Sequence, residues 1–413
     1  MGGFGMSTTR REFIGLCIAS ATAGGWNLSA SEVGASLPPW RPGEMDLHFI
    51  YTGVGESSFY RFPDGTSVMN DIGDAYYPED VPFVPHLPDG SRCGGEWVSR
   101  YVQRVFPKRE IDYLLVSHWH PDHTGMLWLD KPSGILRFAQ DFRFRHYLDH
   151  QYPKVADWGS FKPLVESMYA WVRQAEKAGM KVDPFKVGAA HQIRLQHDPQ
   201  GVFARRFSIR NLCANGVLWN GKDGAASATF DYAAAHAKKH GLEKISQNAL
   251  SMALRIRYGK FLFYTGGDVT EHLTGPNGED VNYEALVGRV CGPVTVAKAN
   301  HHCCGNSMTR DFVRAVRPKS VIVHVFRTDQ PCEANMRYIS DRKLYPGDRR
   351  IFPTVIQNGQ AERYSSCSWW DDIDLACGHL VCRVAPGGET YRIYSLEARD
   401  ESMRVKAVYD GIC

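Results

Sequence analysis

The stretch SHWHPDHTG, residues 117–125, concentrates three imidazoles and one carboxylate within six residues. A short apolar run, residues 111–117, leads directly into it and has the composition of a strand buried in a sheet. Burying this many polar side chains without partners would cost roughly 2–7 kcal/mol for each group. Such a cluster therefore predicts a shared partner, and a divalent metal ion is the partner that satisfies imidazole and carboxylate together.

The spacing of these side chains favours two cations. His118 and His120 alternate with Trp119, so both imidazoles can face one metal ion, while Asp122 and His123 can face a second. Imidazole and carboxylate ligands suit zinc best, with manganese or iron as alternatives. We expect two divalent metal ions, most simply Zn²⁺.

The motif His-x-His-x-Asp-His after a buried strand resembles the signature of metallo-β-lactamase-fold hydrolases. Three further segments, GVGES at 53–57, PDG at 63–65 and NDIG at 70–73, resemble the opening of that fold. They are most similar to the branch that contains the hydrolase-like domain of DNA-uptake competence proteins and the phosphorylcholine esterases. That branch usually has Gly-Gln-Gly-Asp where this chain has Gly-Val-Gly-Glu. The resemblance implies an α/β (α+β) fold, an αββα sandwich of two mixed sheets with the metal motifs at one edge.

Two later motifs match the same family in order. FYTGGD, residues 263–268, ends a predicted strand with a carboxylate, and the resemblance implies that Asp268 bridges two metals. ANHHCCG, residues 299–305, resembles the His-His-Gly-Ser motif of the branch. By analogy, His302 is a ligand and His301 a substrate-facing proton donor, although the two roles could be reversed.

The complete set of predicted site residues combines pattern and resemblance. The metal ligands are His118, His120, Asp122, His123, Asp268 and His302, the catalytic residues are Asp122 and His301, and the supporting residues are Asp71 and Asn248. In the family, the aspartate that matches Asp71 supports the metal loop from behind.

The family pattern is incomplete in two places. Many members carry a Gly-His-Thr segment that supplies a third histidine to the first metal, and none occurs between residues 124 and 268. Asn248 lies near where this branch places polar residues and could orient a ligand or the substrate. Cys303 and Cys304 replace the expected Gly-Ser. Their sulfurs could bind metal, form a vicinal disulfide or simply be buried, and we favour the two interpretations in which they do not bind metal.

The predicted function is metal-dependent hydrolysis. Two metals would lower the pKa of a shared water toward ~7, and the resulting hydroxide would attack a phosphoester or phosphodiester. The first alternative is hydrolysis of a lactone, lactam or other acyl bond at the same site. The second is a metal-stabilised domain without catalysis, which the complete ligand set argues against.

The N-terminus predicts export. Residues 1–30 place Arg10 and Arg11 before a modestly apolar run and resemble a twin-arginine signal, so we expect the export machinery as a partner and a periplasmic or extracellular location. Residues 31–45 are read as a linker and 46–413 as the hydrolase domain, with an insertion at 131–200 and a C-terminal extension from about 331. We expect no membrane span in the mature chain.

Composition limits the other possible functions. The chain has 413 residues, 43% of them hydrophobic, which is enough for a large core. The net charge of +3 is not concentrated in a basic arm, so no stable nucleic-acid partner is implied. Eleven cysteines in an exported protein predict some disulfides, whose pairing the sequence does not define.

Overall fold

The computed structural model describes residues 32–75, 84–153, 161–222, 229–357 and 359–413. The predicted export signal, residues 1–30, lies outside the described residues. Within the described part of the chain, no helix is both long enough and apolar enough to cross a bilayer.

The strands of the described residues alternate with short helices along the chain. The strands are β1 Met45–Ile50, β2 Ser57–Arg61, β3 Ser67–Ile72, β4 Glu110–Val116, β5 Arg143–Asp149, β6 Lys181–Val182, β7 Phe207–Ala214, β8 Val217–Trp219, β9 Thr229–Asp231, β10 Ala253–Tyr258, β11 Phe261–Thr265, β12 His272–Thr274, β13 Asp280–Asn282, β14 Val296–Lys298, β15 Ser320–Val323, β16 Arg350–Pro353, β17 His379–Val384, β18 Thr390–Leu396 and β19 Val405–Ile412. The helices are α1 Gly94–Val105, α2 Pro121–Thr124, α3 Gly134–Phe138, α4 Lys162–Lys177, α5 Tyr232–His240, α6 Tyr283–Cys291, α7 Arg310–Val316, α8 Glu333–Ser340 and α9 Gln360–Tyr364.

Two large mixed sheets dominate the described residues. The 9-stranded sheet has the order β19-β18-β17-β1-β2-β3-β4-β5-β6, and the 8-stranded sheet has the order β16-β15-β14-β11-β10-β7-β8-β9. Strands β3 to β6 run parallel to one another, as do β11, β14, β15 and β16, while the hairpin strands pair antiparallel. Parallel strands end at the same edge, so each sheet directs several strand ends to one side of the molecule.

The sheets pack face to face through large apolar side chains. The ring of Phe263 on β11 lies 5.8 Å from that of Phe49 on β1 and 5.7 Å from that of Tyr60 on β2, measured between centroids. All three side chains are fully buried. At roughly 1.5–3 kcal/mol for each buried large apolar side chain, this layer supplies much of the stabilisation of the sandwich.

Helices cover the outer face of each sheet. Val102 of α1 and Val172 of α4 are buried in the apolar cluster that also contains Leu114 of β4. On the other side, Phe312 of α7 joins the cluster that contains Val321 of β15. The layers are therefore helix, sheet, sheet, helix, and the predicted αββα sandwich is confirmed.

The segments predicted to flank or interrupt the domain are integrated into it. Residues 131–200 supply β5 and β6, and residues after 331 supply β16 to β19. Strand β17 pairs with β1, with Met45 opposite Val384. The expected linker is also held in place, because the Gly34 N–H donates to the Val405 carbonyl at 2.9 Å.

Candidate metal centre

The predicted metal motifs meet where strands of both sheets end. The histidine motif follows β4 of the 9-stranded sheet, whereas Asp268 follows β11 and His302 follows β14 of the 8-stranded sheet. The His302 Nε2 atom lies 3.2 Å from Asp122 Oδ2 and 3.5 Å from Asp268 Oδ2. Residues that are distant along the chain thus form one buried polar cluster.

Asp71, at the end of β3, holds the histidine loop from behind. Its Oδ1 accepts the Ser117 N–H at 2.7 Å, and its Oδ2 accepts the Ser117 hydroxyl at 2.6 Å. The same Oδ2 lies 2.9 Å from His123 Nδ1. Because a carboxylate only accepts, His123 donates to Asp71 from Nδ1, which leaves Nε2 facing the cluster.

The first candidate cation position is lined by His118, His120 and Asp268, whose ligand atoms all lie within 4.8 Å of one another. His118 Nε2 is 3.0 Å from His120 Nδ1 and 3.8 Å from Asp268 Oδ2. Among the described histidines between residues 124 and 268, none completes this group with a third ring. The missing third histidine of the family pattern therefore has no replacement of the same type in this group.

The second candidate position is lined by Glu56, His123, Asp268 and His302, all buried and again within 4.8 Å of one another. His123 Nε2 lies 3.2 Å from Asp268 Oδ1, and His302 Nδ1 lies 3.9 Å from Glu56 Oε2. Asp268 belongs to both groups and is placed to join them. Asp122 lies beside the second group, with its Oδ2 3.8 Å from His123 Nε2.

The donor atoms of these groups fit divalent cations. Within the described structure, His123 Nε2, Asp268 Oδ1, Glu56 Oε1 and His302 Nδ1 are buried and make no hydrogen bond. An unsatisfied buried polar group costs about 1–3 kcal/mol, and more when charged. Nitrogen and oxygen donors converging on shared positions are the ligands that zinc, manganese and iron bind.

The electrostatics of the cluster agree with this chemistry. Burial alone would raise the pKa of the Asp268 carboxyl, but His123 and His302 beside it hold that pKa well below its usual range. Burial alone would lower the pKa of His302, yet Asp268 and Asp122 raise it to about 9. The buried carboxylates thus stabilise positive charge inside the cluster, and bound metal cations would supply that positive charge.

Glu56 is a candidate ligand that the sequence analysis quoted but gave no role. It lies between the Gly55 turn and the start of β2, and its Oε2 accepts a hydrogen bond from Lys298 Nζ at 2.9 Å. Both side chains are fully buried. The available signal was a glutamate between the glycine turn and the start of a strand, because a carboxylate buried there requires a partner.

The turn that carries the two adjacent histidines is left-handed rather than extended. His301, His302 and Cys303 have φ values of 46°, 54° and 57°. In an extended chain, neighbouring side chains face opposite ways, but in this turn the rings of both His301 and His302 face the cluster. His301 Nε2 lies 4.0 Å from Asp268 Oδ2 and 3.2 Å from Asn248 Nδ2.

Anchoring contacts below the turn hold this conformation. Asn300 donates to Glu284 Oε1 at 2.8 Å, and Ser307 Oγ donates to the Asn300 carbonyl at 2.9 Å. Asp268 and His302 are buried, whereas 26% of the His301 side chain is exposed. His301 is therefore the histidine of this pair that a substrate could reach from solvent.

Comparisons with known proteins give only distant likenesses. No protein-family model and no curated protein matches the chain. Among solved structures, it is similar to a mutant of the CmlA β-hydroxylase (14% identity, TM-score 0.38, 76% of this chain and 53% of that one). It is also similar to a diphosphatase of the PhnP family, with 11% identity and a TM-score of 0.33 over 82% of this chain and 97% of that one. A third similar structure is Zn²⁺-bound PqqB from Methylobacterium extorquens, with 10% identity and a TM-score of 0.36 over 82% of this chain and 99% of that one. The match spans about half of the hydroxylase chain.

The architecture and the cluster agree with what the motifs implied. Two mixed sheets packed face to face, with the His-x-His-x-Asp-His motif at the end of β4, are the αββα arrangement expected from the resemblance to metallo-β-lactamase-fold proteins. The cluster at the strand ends is a buried group of histidines and carboxylates with the composition of a metal site.

Proposed function

We propose that the chain is an exported metal-dependent hydrolase that cleaves a phosphoester or phosphodiester. The observation that carries this proposal is the pair of ligand groups that share Asp268. Phosphoester chemistry is chosen because the His301-His302 motif resembles that of the phosphorylcholine esterase branch. The periplasm or the extracellular space is the proposed location.

The buried carboxylates support divalent cations in the cluster. Glu56, Asp71, Asp122 and Asp268 bring four carboxylates into the buried region, and Lys298 lies against Glu56. Divalent cations would offset negative charge that is shielded from water in a region of low dielectric. The two ligand groups that share Asp268, rather than the charge, favour two ions over one.

Bound ions would lower the pKa of a coordinated water to ~7 and neutralise charge on an anionic substrate. The residues of the chain would hold and move the protons. Asp122 or Asp268 can hold the proton of the nucleophile, since both carboxylates face the cluster. We propose that His301, which is partly exposed and accepts from the Asn248 amide at Nε2, takes up a proton and passes it to the leaving oxygen, a role usually worth ~10²–10⁴ in rate.

A substrate screen tests this proposal. Protein reconstituted with Zn²⁺, Mn²⁺ or Fe²⁺ would be assayed on bis-aryl phosphates, phosphomonoesters, lactones and a chromogenic cephalosporin. We expect metal-dependent turnover of a phosphate ester that His118→Ala abolishes. His197→Ala is the matched control, because that ring contacts Asp112 and not the cluster.

The other outcomes of the screen separate the alternatives. Turnover confined to lactones or the cephalosporin would replace the phosphoester proposal with acyl-bond hydrolysis at the same site. Tight metal binding without turnover of any substrate class would favour a metal-stabilised binding domain.

A further inference from the structure

Two cysteines meet beside the histidine turn, outside both cation positions. Cys304 follows the turn directly, and Cys332 precedes the first residue of α8. The Cys332 N–H donates to the carbonyl of Cys303 at 2.8 Å, which holds the two chain segments together. The Cys332 thiol donates to the Asp329 carbonyl at 3.1 Å, and the Cys304 thiol is its neighbour.

The neighbouring Cys303 is directed elsewhere. Its sulfur lies 4.0 Å from the sulfur of Met336, and its side chain is fully buried in the apolar cluster. Of the two adjacent cysteines, Cys304 is thus the one that faces a second thiol. Among the described residues, neither Cys303 nor Cys304 belongs to a group of side chains that could hold a metal ion.

We propose that Cys304 and Cys332 form a disulfide when the protein meets an oxidising thiol–disulfide environment. The bond would tie the histidine turn to the start of α8 and close a loop that contains α7 and β15. It would restrict the unfolded chain and hold the left-handed turn in place. The inference does not depend on hydrolytic activity.

A low-molecular-weight disulfide such as oxidised glutathione supplies the oxidant. The Cys332 thiolate attacks one glutathione sulfur, the glutathione S–S bond breaks, and one glutathione thiolate leaves. The Cys304 sulfur then attacks Cys332 in the mixed disulfide and releases the second glutathione. The two thiol protons end on the two glutathione molecules, so the protein loses two electrons and two protons, and oxidised glutathione gains both.

Cys332 is suited to be the attacking sulfur. It is half-buried rather than enclosed, and its thiol donates to the Asp329 carbonyl at the start of the segment that leads into α8. Cys93 offers a matched comparison, because it is also half-buried and also precedes a helix without a side-chain cap. Burial raises the pKa of Cys93, and its charged neighbours are Asp74, Glu96 and Arg137.

Peptide mapping tests the proposal. The full chain would be equilibrated at a series of reduced-to-oxidised glutathione ratios, alkylated, digested and examined by mass spectrometry. We expect one cross-linked peptide pair containing Cys304 and Cys332, and a higher midpoint of thermal unfolding for the oxidised protein. Both should disappear in Cys332→Ser and in Cys304→Ser and persist in Cys93→Ser.

Other results would overturn the inference. A cross-link between Cys303 and Cys304 would show that the turn forms a vicinal disulfide instead. Complete alkylation of Cys304 and Cys332 at the most oxidising ratio would show that the two thiols do not couple. Should Cys304→Ser fail to fold, Cys332→Ser at the half-exposed position still decides between these outcomes.

Discussion

The replacement Asp71→Asn tests how the second cation position is oriented. Both carboxylate oxygens of Asp71 accept from Ser117, and Oδ2 also lies 2.9 Å from His123 Nδ1. An amide keeps one oxygen and turns the other acceptor into a donor. If the amide faces His123, the ring must move its proton to Nε2 and lose the lone pair that would bind metal. If it faces Ser117, two donors oppose each other.

Either arrangement of the amide should change the metal affinity and the free energy of unfolding by a measurable amount. Loss of a residue that orients a ligating histidine typically lowers metal affinity by roughly 10–100-fold, which corresponds to about 1.4–2.7 kcal/mol. A buried donor left without an acceptor lowers the free energy of unfolding by about 1–3 kcal/mol. We therefore expect Asp71→Asn to weaken metal binding and to destabilise the metal-free protein.

Competition with a chromogenic chelator would measure the metal affinity, and denaturant unfolding of the metal-free protein would measure stability. Asp112→Asn is the matched control. Asp112 is buried on the same strand, β4, that leads to the histidine motif, and accepts from the Ser67 N–H, the Ser67 hydroxyl and His197 at 2.9, 3.0 and 3.1 Å. It reproduces the contacts of Asp71 away from the cluster, so it should lower stability and leave metal affinity unchanged.

Equal metal affinity in Asp71→Asn and the unmodified protein would refute the orienting role. A matching loss of affinity in Asp112→Asn would show that the effect follows from general destabilisation. Only a loss confined to Asp71→Asn supports the reasoning.

Three further predictions concern other parts of the chain. His302→Ala should lower metal content and activity, whereas His301→Ala should keep metal and lose turnover, least with a nitrophenolate leaving group; metal loss in His301→Ala alone would reverse the two roles. Burial raises the pKa of Glu284 to about 7 from 4.5, so the folded state binds more protons between these values and the free energy of unfolding should fall as pH rises through that window. Glu284→Gln should make the free energy of unfolding, measured by denaturant titration, less dependent on pH in that window. The same pH dependence in the variant and the unmodified protein would contradict this prediction. Replacing Arg10 and Arg11 with lysine should block export, as cell fractionation would show, and unchanged export would exclude the twin-arginine route.

The fold was predictable because the hydrophobic pattern of single segments already identifies the strands that the structure contains. The apolar run before His118 could only be a buried strand, and β4 occupies Glu110–Val116 with all residues after Glu110 buried. Apolar and charged side chains alternate from Leu254 to Tyr258, which is the pattern of a strand with one face buried, and Leu254 is opposite Thr265 in the hairpin that this strand forms. In each case one short segment contained the whole signal.

The parts that escaped prediction depend on contacts across the sandwich. The buried Glu56 carboxylate is stabilised by a hydrogen bond from Lys298, which lies 242 positions away along the chain and cannot be identified from the local sequence. The left-handed turn at His301 to Cys303 runs against residue preference, since residues with side chains rarely adopt positive φ. It is held by Asn300, whose partner Glu284 lies on α6. No pattern within the turn itself encodes those anchors.

The placement of the cluster links metal binding to the packing of the two sheets. His118, His120 and His123 follow a strand of the 9-stranded sheet, whereas Asp268 and His302 follow strands of the 8-stranded sheet. Neither sheet alone holds a complete ligand group, so ions held by both groups would bind the folded sandwich and not its separated halves. A ligand at 100 times its dissociation constant stabilises the state that binds it by about 2.7 kcal/mol. Bound cations would then favour the closed sandwich, because Asp268 and His302 from one sheet and the three histidines from the other would hold the same pair of ions.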